Sequence, residues 1–248
     1  MQRHLKILPN VCSSMIPQGL IEAMRWMTII PMPQQKEQVD MAKILPWLPV
    51  TGLAVGLSVS GAAWLGMQYD VWLGAWLAVL VWLGITGFLH ADGLADLSDA
   101  LGASHGDSTG FLEVLKDPHI GSFGVMSLIL LVTAKLILLK ILLSHGLLWS
   151  LMLIPVWARV GVFFWLQLPA LTQGFAAAIQ DISSRSNAIL WCIVLMLLSF
   201  FFPANLWLAP LVLWLWHLFL QHHIRGMNGD CLGAGIEVCE VVLLLLLL

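Results

Sequence analysis

From Ser186 to Ile224 the chain runs for 39 residues without an aspartate, glutamate, lysine or arginine. No water-facing surface can be built from such a segment, and it does not stand alone. Ile44 to Tyr69 gives 26 more uncharged residues and Val71 to Leu89 another 19. Charged residues make up 10% of the 248, where a soluble domain carries about 25%. Mean hydropathy is +0.91. A soluble globular domain and a disordered chain are therefore excluded. A net charge of −3 and a pI near 6.2 argue equally against a nucleic-acid binder, whose surface must attract phosphate.

The chain is better divided into spans of about 20 residues than into soluble domains. Ile44–Tyr69 and Val71–Leu89 read as a helical hairpin turning at Asp70. Phe123–Leu143 and Leu147–Leu168 are the third and fourth spans, and Pro203-Ala204-Asn205 splits the longest run into a fifth and sixth. Cys231–Leu248 is the seventh. Gly19–Ile30 is too short to cross and carries Glu22 and Arg25, which suits a helix lying in the interface. The expected fold is thus an all-α polytopic bundle of about seven transmembrane helices in one membrane domain, residues 1–248. Within it, 1–43 form an interfacial N-terminal segment, 90–122 an acidic loop, and 221–248 the final Gly-Asp stretch and last span. Cys12, Cys192, Cys231 and Cys239 form no C-x-x-C pair and read as small hydrophobes. Met1-Gln2-Arg3-His4-Leu5-Lys6 reaches Pro9-Asn10 before any long apolar run, so no secretory signal is expected there.

Charge orients the bundle. The links at Asp70, Ser144-His145-Gly146 and Pro203-Ala204-Asn205 contain no Lys or Arg. The N-terminal segment and the other links hold Arg3, Lys6, Arg25, Lys36, Lys43, Lys116, Arg185 and Arg225. The positive-inside rule places these longer segments in the cytoplasm. Lys140 falls near the opposite end of its span and is expected to snorkel to that interface. All the polar segments then share one face, on which a cytoplasmic active site can assemble.

The acids concentrate on that face. Residues 90–117 hold Asp92, Asp96, Asp99, Asp107, Glu113 and Asp117, six of the 14 acids in the chain. On a helix, Asp96 and Asp99 lie roughly 40° and 20° to either side of Asp92, so three carboxylates share one narrow face. Their repulsion is costly unless a cation offsets it. Mg²⁺ is typically held by one or two carboxylates together with substrate phosphates. Glu113 and Asp117 are four apart and add further candidate contacts, with Pro118 as the helix stop. A solvated acidic face is the bland alternative, but the i, i+4, i+7 spacing at a membrane end favours a metal site.

A second constellation runs from Arg225 to Glu240. Gly226 and Gly229 permit a tight turn, and Asp230 opens a helix whose dipole favours an acid. Gly233 and Ala234 allow another helix to approach closely. Glu237 and Glu240 are acids inside a span, which points either to function or to an internal ion pair with Lys135 or Arg159. His105, His119, His222 and His223 lie on the polar face at no metal-ligand spacing.

Three of these segments carry a resemblance. Gly87-Phe88-Leu89-His90-Ala91-Asp92-Gly93-Leu94-Ala95-Asp96-Leu97-Ser98-Asp99 resembles the signature of the cobalamin synthase, or adenosylcobinamide-GDP ribazoletransferase, family. Lys116-Asp117-Pro118-His119-Ile120-Gly121-Ser122-Phe123-Gly124 is similar to its second motif, and Gly229-Asp230-Cys231-Leu232-Gly233-Ala234 with Glu237 and Glu240 to its C-terminal one. Thr28-Ile29-Ile30-Pro31-Met32-Pro33 and Pro49-Val50-Thr51-Gly52-Leu53 extend the likeness over nearly the whole chain. The resemblance implies an Mg²⁺-dependent inner-membrane transferase. A hydroxyl of α-ribazole or its 5′-phosphate would attack the cobinamide-linked phosphorus of adenosylcobinamide-GDP and release GMP. It implies Mg²⁺ on Asp92, Asp96 and Asp99, and a proton acceptor at Asp99 or Asp117. Candidate substrate-binding residues are His90, Gly93, Lys116, Arg159, Arg225, Asp230 and Glu237. The partners implied are the two substrates and membrane lipid, with no nucleic acid; a homo-oligomer or association with other cobalamin-assembly enzymes is left open.

Rival readings meet specific obstacles. A CDP-alcohol phosphotransferase needs Ala-Arg where Asp96-Leu97 stands and an acid where Leu89 stands. An intramembrane prenyltransferase needs a second dense acidic motif, whereas Asp181 and Asp230 stand singly. A transporter built on Glu237, Glu240 and Arg159 leaves the aspartates of 92–99 without a purpose, and no internal repeat supports it.

Overall fold

The computed structural model describes residues 16–34, 40–104, 108–171, 185–201 and 205–248. Among them the regular structure is helical, apart from one isolated parallel bridge between Ala170 and Met227. The helices are α1 (Gln18–Met27), α2 (Met41–Ile44), α3 (Leu48–Met67), α4 (Val71–Ile85), α5 (Leu89–Ser104) and α6 (Ser108–Val114). They continue with α7 (Ser122–Ser144), α8 (Leu153–Trp165), α9 (Arg185–Phe200), α10 (Ala209–Phe219) and α11 (Gly229–Leu246). This is an all-α membrane bundle. Leu57, Trp76, Leu80, Leu130, Leu197 and Trp214 point outward into what must be lipid.

Each of the seven apolar runs contains a helix, but they do not qualify equally as crossings. Met41–Met67, Ser122–Ser144 and Leu148–Trp165 are long and apolar enough to span. Val71–Ile85 with Leu89–Ser104 makes a fourth only as a pair bent by 83°. The apolar helix Ser186–Phe200 is shorter, and α11 carries Asp230, Glu237 and Glu240. Pro203 and Ala204, expected to divide α9 from α10, lie outside the described residues.

Short turns follow from identifiable residues. Asp70 accepts the Trp72 amide at 2.7 Å, capping α4. Gly66 and Gly74 let α3 and α4 touch backbone to backbone, since a Cβ on Gly66 would stand 2.6 Å from the Gly74 Cα. Gly52 and Gly56 admit the backbone of 152–156 in the same way. At the far end of α7, Gly146 (φ 75°) closes the helix with Leu147 N–H to Leu142 O at 3.0 Å and Gly146 N–H to Leu143 O at 3.1 Å. Lys140 lies over the Trp72 ring, 5.6 Å from its centroid, near this same end of the bundle.

The bend between α4 and α5 aims the first motif. Gly87 (φ 60°) ends α4 in the same 6→1 and 5→2 pattern, with Phe88 N–H to Leu83 O at 3.0 Å and Gly87 N–H to Gly84 O at 2.9 Å. Phe88 repeats the left-handed conformation (φ 61°), rare for an aromatic residue and costly unless its surroundings enforce it. Its carbonyl then accepts the Asp92 amide at 2.9 Å, opening α5 in a new direction. The Ile29 amide binds the Ile85 carbonyl at 2.8 Å, so the segment after α1 is pinned to the bend.

The middle of the bundle holds four charges. Lys135 on α7 donates to Glu237 at 2.5 Å and to Glu240 at 2.7 Å. Arg159 on α8 donates to Glu240 at 3.0 Å. The four side chains are at most 1% exposed. Lys135 also lies 4.4 Å from the centroid of the Trp82 ring on α4. Two cations therefore meet two anions, and α4, α7, α8 and α11 are tied together where lipid permits no stray charge.

Candidate active site

The first and third sequence motifs meet where α5 crosses α11. The crossing is close because both helices present glycine there. A Cβ on Gly93 would lie 3.0 Å from the Asp230 Cα, and one on Gly233 would lie 3.2 Å from the His90 Cα. Any larger side chain would push the helices apart. Asp92 is exposed, and Asp96 and Asp230 are half-buried beside it. Partial burial, then the charges of Asp92, Asp230 and Asp99, raise the Asp96 carboxyl to about 6. Asp230 is oriented by Asn228, whose amide donates to it at 2.7 Å and whose side-chain oxygen accepts the Cys231 amide at 3.0 Å to cap α11.

The second motif is held by Asp99. Its carboxylate accepts the Gly121 amide at 2.7 Å and the Gly124 amide at 2.9 Å, both at the start of α7. A Cβ at either glycine would fall within 2.4 Å of those oxygens. Asp99 is expected from the sequence as the third carboxylate of a metal face; the fold places it against the N-terminus of α7 instead, and Asp230 supplies the third acid beside Asp92 and Asp96. Nothing in the spacing of residues 92–99 signals that exchange. The glycines at 121 and 124 are the one sequence cue to it.

The remaining candidates separate. Asp117 accepts the His119 backbone amide at 3.0 Å and contacts its Nδ1 at 2.6 Å, and these bonds hold its carboxyl below the usual range. Helix α6 ends at Val114, before Pro118 requires it, so Glu113 and Asp117 do not share a helical face. Lys116 is exposed in the turn that follows. Arg225 is exposed in a left-handed conformation (φ 60°) that ends the helical turn of 220–224. The next residues are stitched to 169–171, with Met227 N–H to Pro169 O and Leu171 N–H to Met227 O both at 2.9 Å. Arg159 and Glu237, expected among substrate contacts, are buried in the four-charge network. His105 and Asp107 lie outside the described residues.

Beside the acids is a cavity of about 320 Å³ between α1, α5 and α11. Trp26 and Met27 from α1, Leu89 and His90 from α5, and Leu232 and Ile236 from α11 line it, with Asp92 and Asp230 at its polar end. The contribution of α1 is not legible from the motifs, which contain none of its residues.

Among the described residues no three His, Cys, Asp or Glu side chains converge as a ready-made metal cage. The donor chemistry nevertheless suits a hard cation. Asp92, Asp96 and Asp230 are oxygen donors that repel one another, and among the described residues none of them pairs with a cation. Such a set fits an ion that takes one or two carboxylates and completes its shell from substrate phosphate.

Fold and site together define a helical membrane protein whose separated motifs converge on one acidic locus at the mouth of an apolar cavity. The family model described as cobalamin-5-phosphate synthase matches residues 19–248. The adenosylcobinamide-GDP ribazoletransferase of Novosphingobium aromaticivorans is 42% identical over 234 residues, 92% of this chain and 94% of that one. Those of Laribacter hongkongensis and Thiobacillus denitrificans are each 43% identical, again over 92% of this chain and over 95% and 94% of their own. No solved structure matches. The chain belongs to the cobalamin-5-phosphate synthase family and is a transferase of cobalamin biosynthesis.

Proposed function

We propose that this chain joins adenosylcobinamide-GDP to α-ribazole, or to α-ribazole 5′-phosphate, and releases GMP. The product is adenosylcobalamin or its 5′-phosphate. One observation carries the reading: the fold brings Asp92 and Asp96 of one motif against Asp230 of another, at an end of the bundle open to soluble substrates. A ribose hydroxyl attacks the phosphorus attached to cobinamide, the bond from that phosphorus to the bridging oxygen breaks, and the oxygen leaves with GMP. Such transfers depend on positioning and on neutralising charge as it develops on the leaving group.

Asp92 and Asp96 would hold Mg²⁺, with Asp230 beside them. Bound there, the ion would supply positive charge to offset the negative charge that develops on departing GMP. Asp99 fixes the start of α7 through its two amide bonds and thereby positions the turn that bears Asp117 and His119. That pair is the proposed acceptor for the proton of the attacking hydroxyl, with Asp117 orienting the imidazole. Lys116 and Arg225 are exposed cations suited to substrate phosphate. The site is assigned to the cytoplasmic side of the inner membrane because Arg25, Lys43, Lys116 and Arg225 belong to segments on its side of the bundle, whereas the turns at 68–70 and 145–147 carry no base.

The full chain, purified in detergent and given adenosylcobinamide-GDP, α-ribazole and Mg²⁺, is expected to release GMP and form a cobalamin in equal amounts. Absence of GMP from protein that retains its helicity and elutes as a single species would overturn the reading.

A further inference from the structure

We propose that the cavity between α1, α5 and α11 seats the bicyclic aromatic base of the incoming riboside, with Trp26 as a wall and His90 as the single polar contact. This inference rests on the functional reading above and adds to it which substrate, and which part of that substrate, this cavity takes.

The cavity has the character of a binding site for a flat apolar group. Its volume of about 320 Å³ is at the small end of ligand pockets. It is far too small for a corrin ring. Trp26, Met27, Leu89, Leu232 and Ile236 give it aromatic and aliphatic walls. His90 is 3% exposed, and among the described residues neither of its ring nitrogens has a hydrogen-bond partner. A buried imidazole left in that state is costly unless something supplies the missing partner. Because His90 lines the cavity, the partner can be a ligand seated within it.

Chemistry selects among the groups the two substrates offer. Guanine carries O6, N7 and an exocyclic amine around its edge. One histidine could satisfy only part of that set, and the apolar walls would strand the rest. A benzimidazole linked to ribose through one ring nitrogen has only its second ring nitrogen as a polar atom. That nitrogen is an acceptor, which one His90 N–H can serve, while the carbocyclic edge suits Leu232, Ile236 and the Trp26 ring. The polar end of the cavity, at Asp92 and Asp230, then lies where the ribose hydroxyl must approach the diphosphate. Helix α1 becomes a wall of the acceptor site as well as an interfacial anchor.

Two variants test the seat through substrate-specific kinetics. Trp26→Ala and His90→Leu are each expected to raise KM for α-ribazole on the order of tenfold or more, with KM for adenosylcobinamide-GDP unchanged. His90→Asn, which keeps an N–H donor, should recover part of the loss. Free 5,6-dimethylbenzimidazole should compete with α-ribazole and not with adenosylcobinamide-GDP. A rise confined to adenosylcobinamide-GDP, equal rises for both substrates, or no change in the Trp26→Ala protein would each overturn the seat. Direct binding of the free base, followed by saturation-transfer NMR on the full chain in detergent, gives a readout independent of turnover. Binding that weakens in Trp26→Ala supports the seat even if the wild-type chain releases no GMP, an outcome that counts against the functional reading alone. Displacement of the base by phosphatidylglycerol micelles but not by α-ribazole would make the cavity a lipid site and overturn the proposal.

Discussion

The molecule spends its scarce charges in two opposite ways. In the middle of the bundle Lys135 and Arg159 face Glu237 and Glu240, so the sum is zero and every carboxylate accepts from a cation within 3.0 Å. At the end of the bundle Asp92, Asp96 and Asp230 crowd together with no cation beside them among the described residues, and burial together with the neighbouring carboxylates drives the Asp96 carboxyl up to about 6. The first arrangement is complete as it stands. The second is left unbalanced among the described residues. Balance therefore distinguishes charges that hold the bundle from charges that await a ligand, a distinction that burial or proximity to a motif does not make.

The comparison breaks most visibly at the acidic locus. Asp96→Asn is expected to lower kcat on the order of a thousandfold, since removing one well-placed electrostatic group from a transfer site costs about that much. Thermal stability should hold or rise slightly, because a repelling charge is gone. Activity near the wild-type level, or a protein that no longer inserts, would show that Asp96 belongs with the structural charges. The opposite result is expected in the interior. Glu240→Gln leaves Arg159 without its carboxylate and Lys135 with one acid in place of two. Breaking a buried pair in this way costs about 3–5 kcal/mol. Unfolding in detergent should show that loss, whereas KM for either substrate in the protein that still folds should stay within about twofold, as expected of a change outside the site. A large KM change without destabilisation would return Glu237 and Arg159 to the substrate site.

Much of this contrast is legible in the sequence, but unevenly. The apolar runs announce themselves because lipid forbids charge, although among the described residues only three helices, or four with the bent pair, are long and apolar enough to cross. The turns at Asp70 and Gly146 are legible because a cap and a left-handed glycine have few substitutes. The interior network is half legible. Acids at 237 and 240 in a span demand cations, and Lys135 and Arg159 are the two intramembrane candidates, but which acid meets which base depends on helix rotation. The acidic site is legible as a face but incomplete in membership. Helical spacing alone brings Asp99 to Asp92, whereas only the tertiary crossing, enabled by Gly93 and Gly233, brings in Asp230. Asp99 is turned to α7 by a contact 22 residues away in sequence. The wall formed by Trp26 and Met27 has no motif at all, since it depends on where the short helix α1 docks.

The smallest expected effect concerns pH, and it follows from the same imbalance. An Asp96 carboxyl raised to about 6 in the folded chain is half protonated at that pH, so the site without its cation loses a donor there. Above that value the carboxylate is ionised, and its burial, together with repulsion from Asp92 and Asp230, is a small cost to stability that grows as pH rises from about 4 through 6. A bound divalent cation reverses the sign by favouring the ionised form. Affinity for Mn²⁺, a paramagnetic substitute for Mg²⁺, is therefore expected to fall up to about tenfold per pH unit below about 6 and to level off above it. Titration of the detergent-solubilised chain by electron paramagnetic resonance between pH 5 and 8 would measure this. In Asp96→Asn the slope should vanish along with most of the affinity. In Glu240→Gln it should persist unchanged, because the interior charges do not reach the ion. A slope that disappears in Glu240→Gln instead would mean that the two groups of charges act as one.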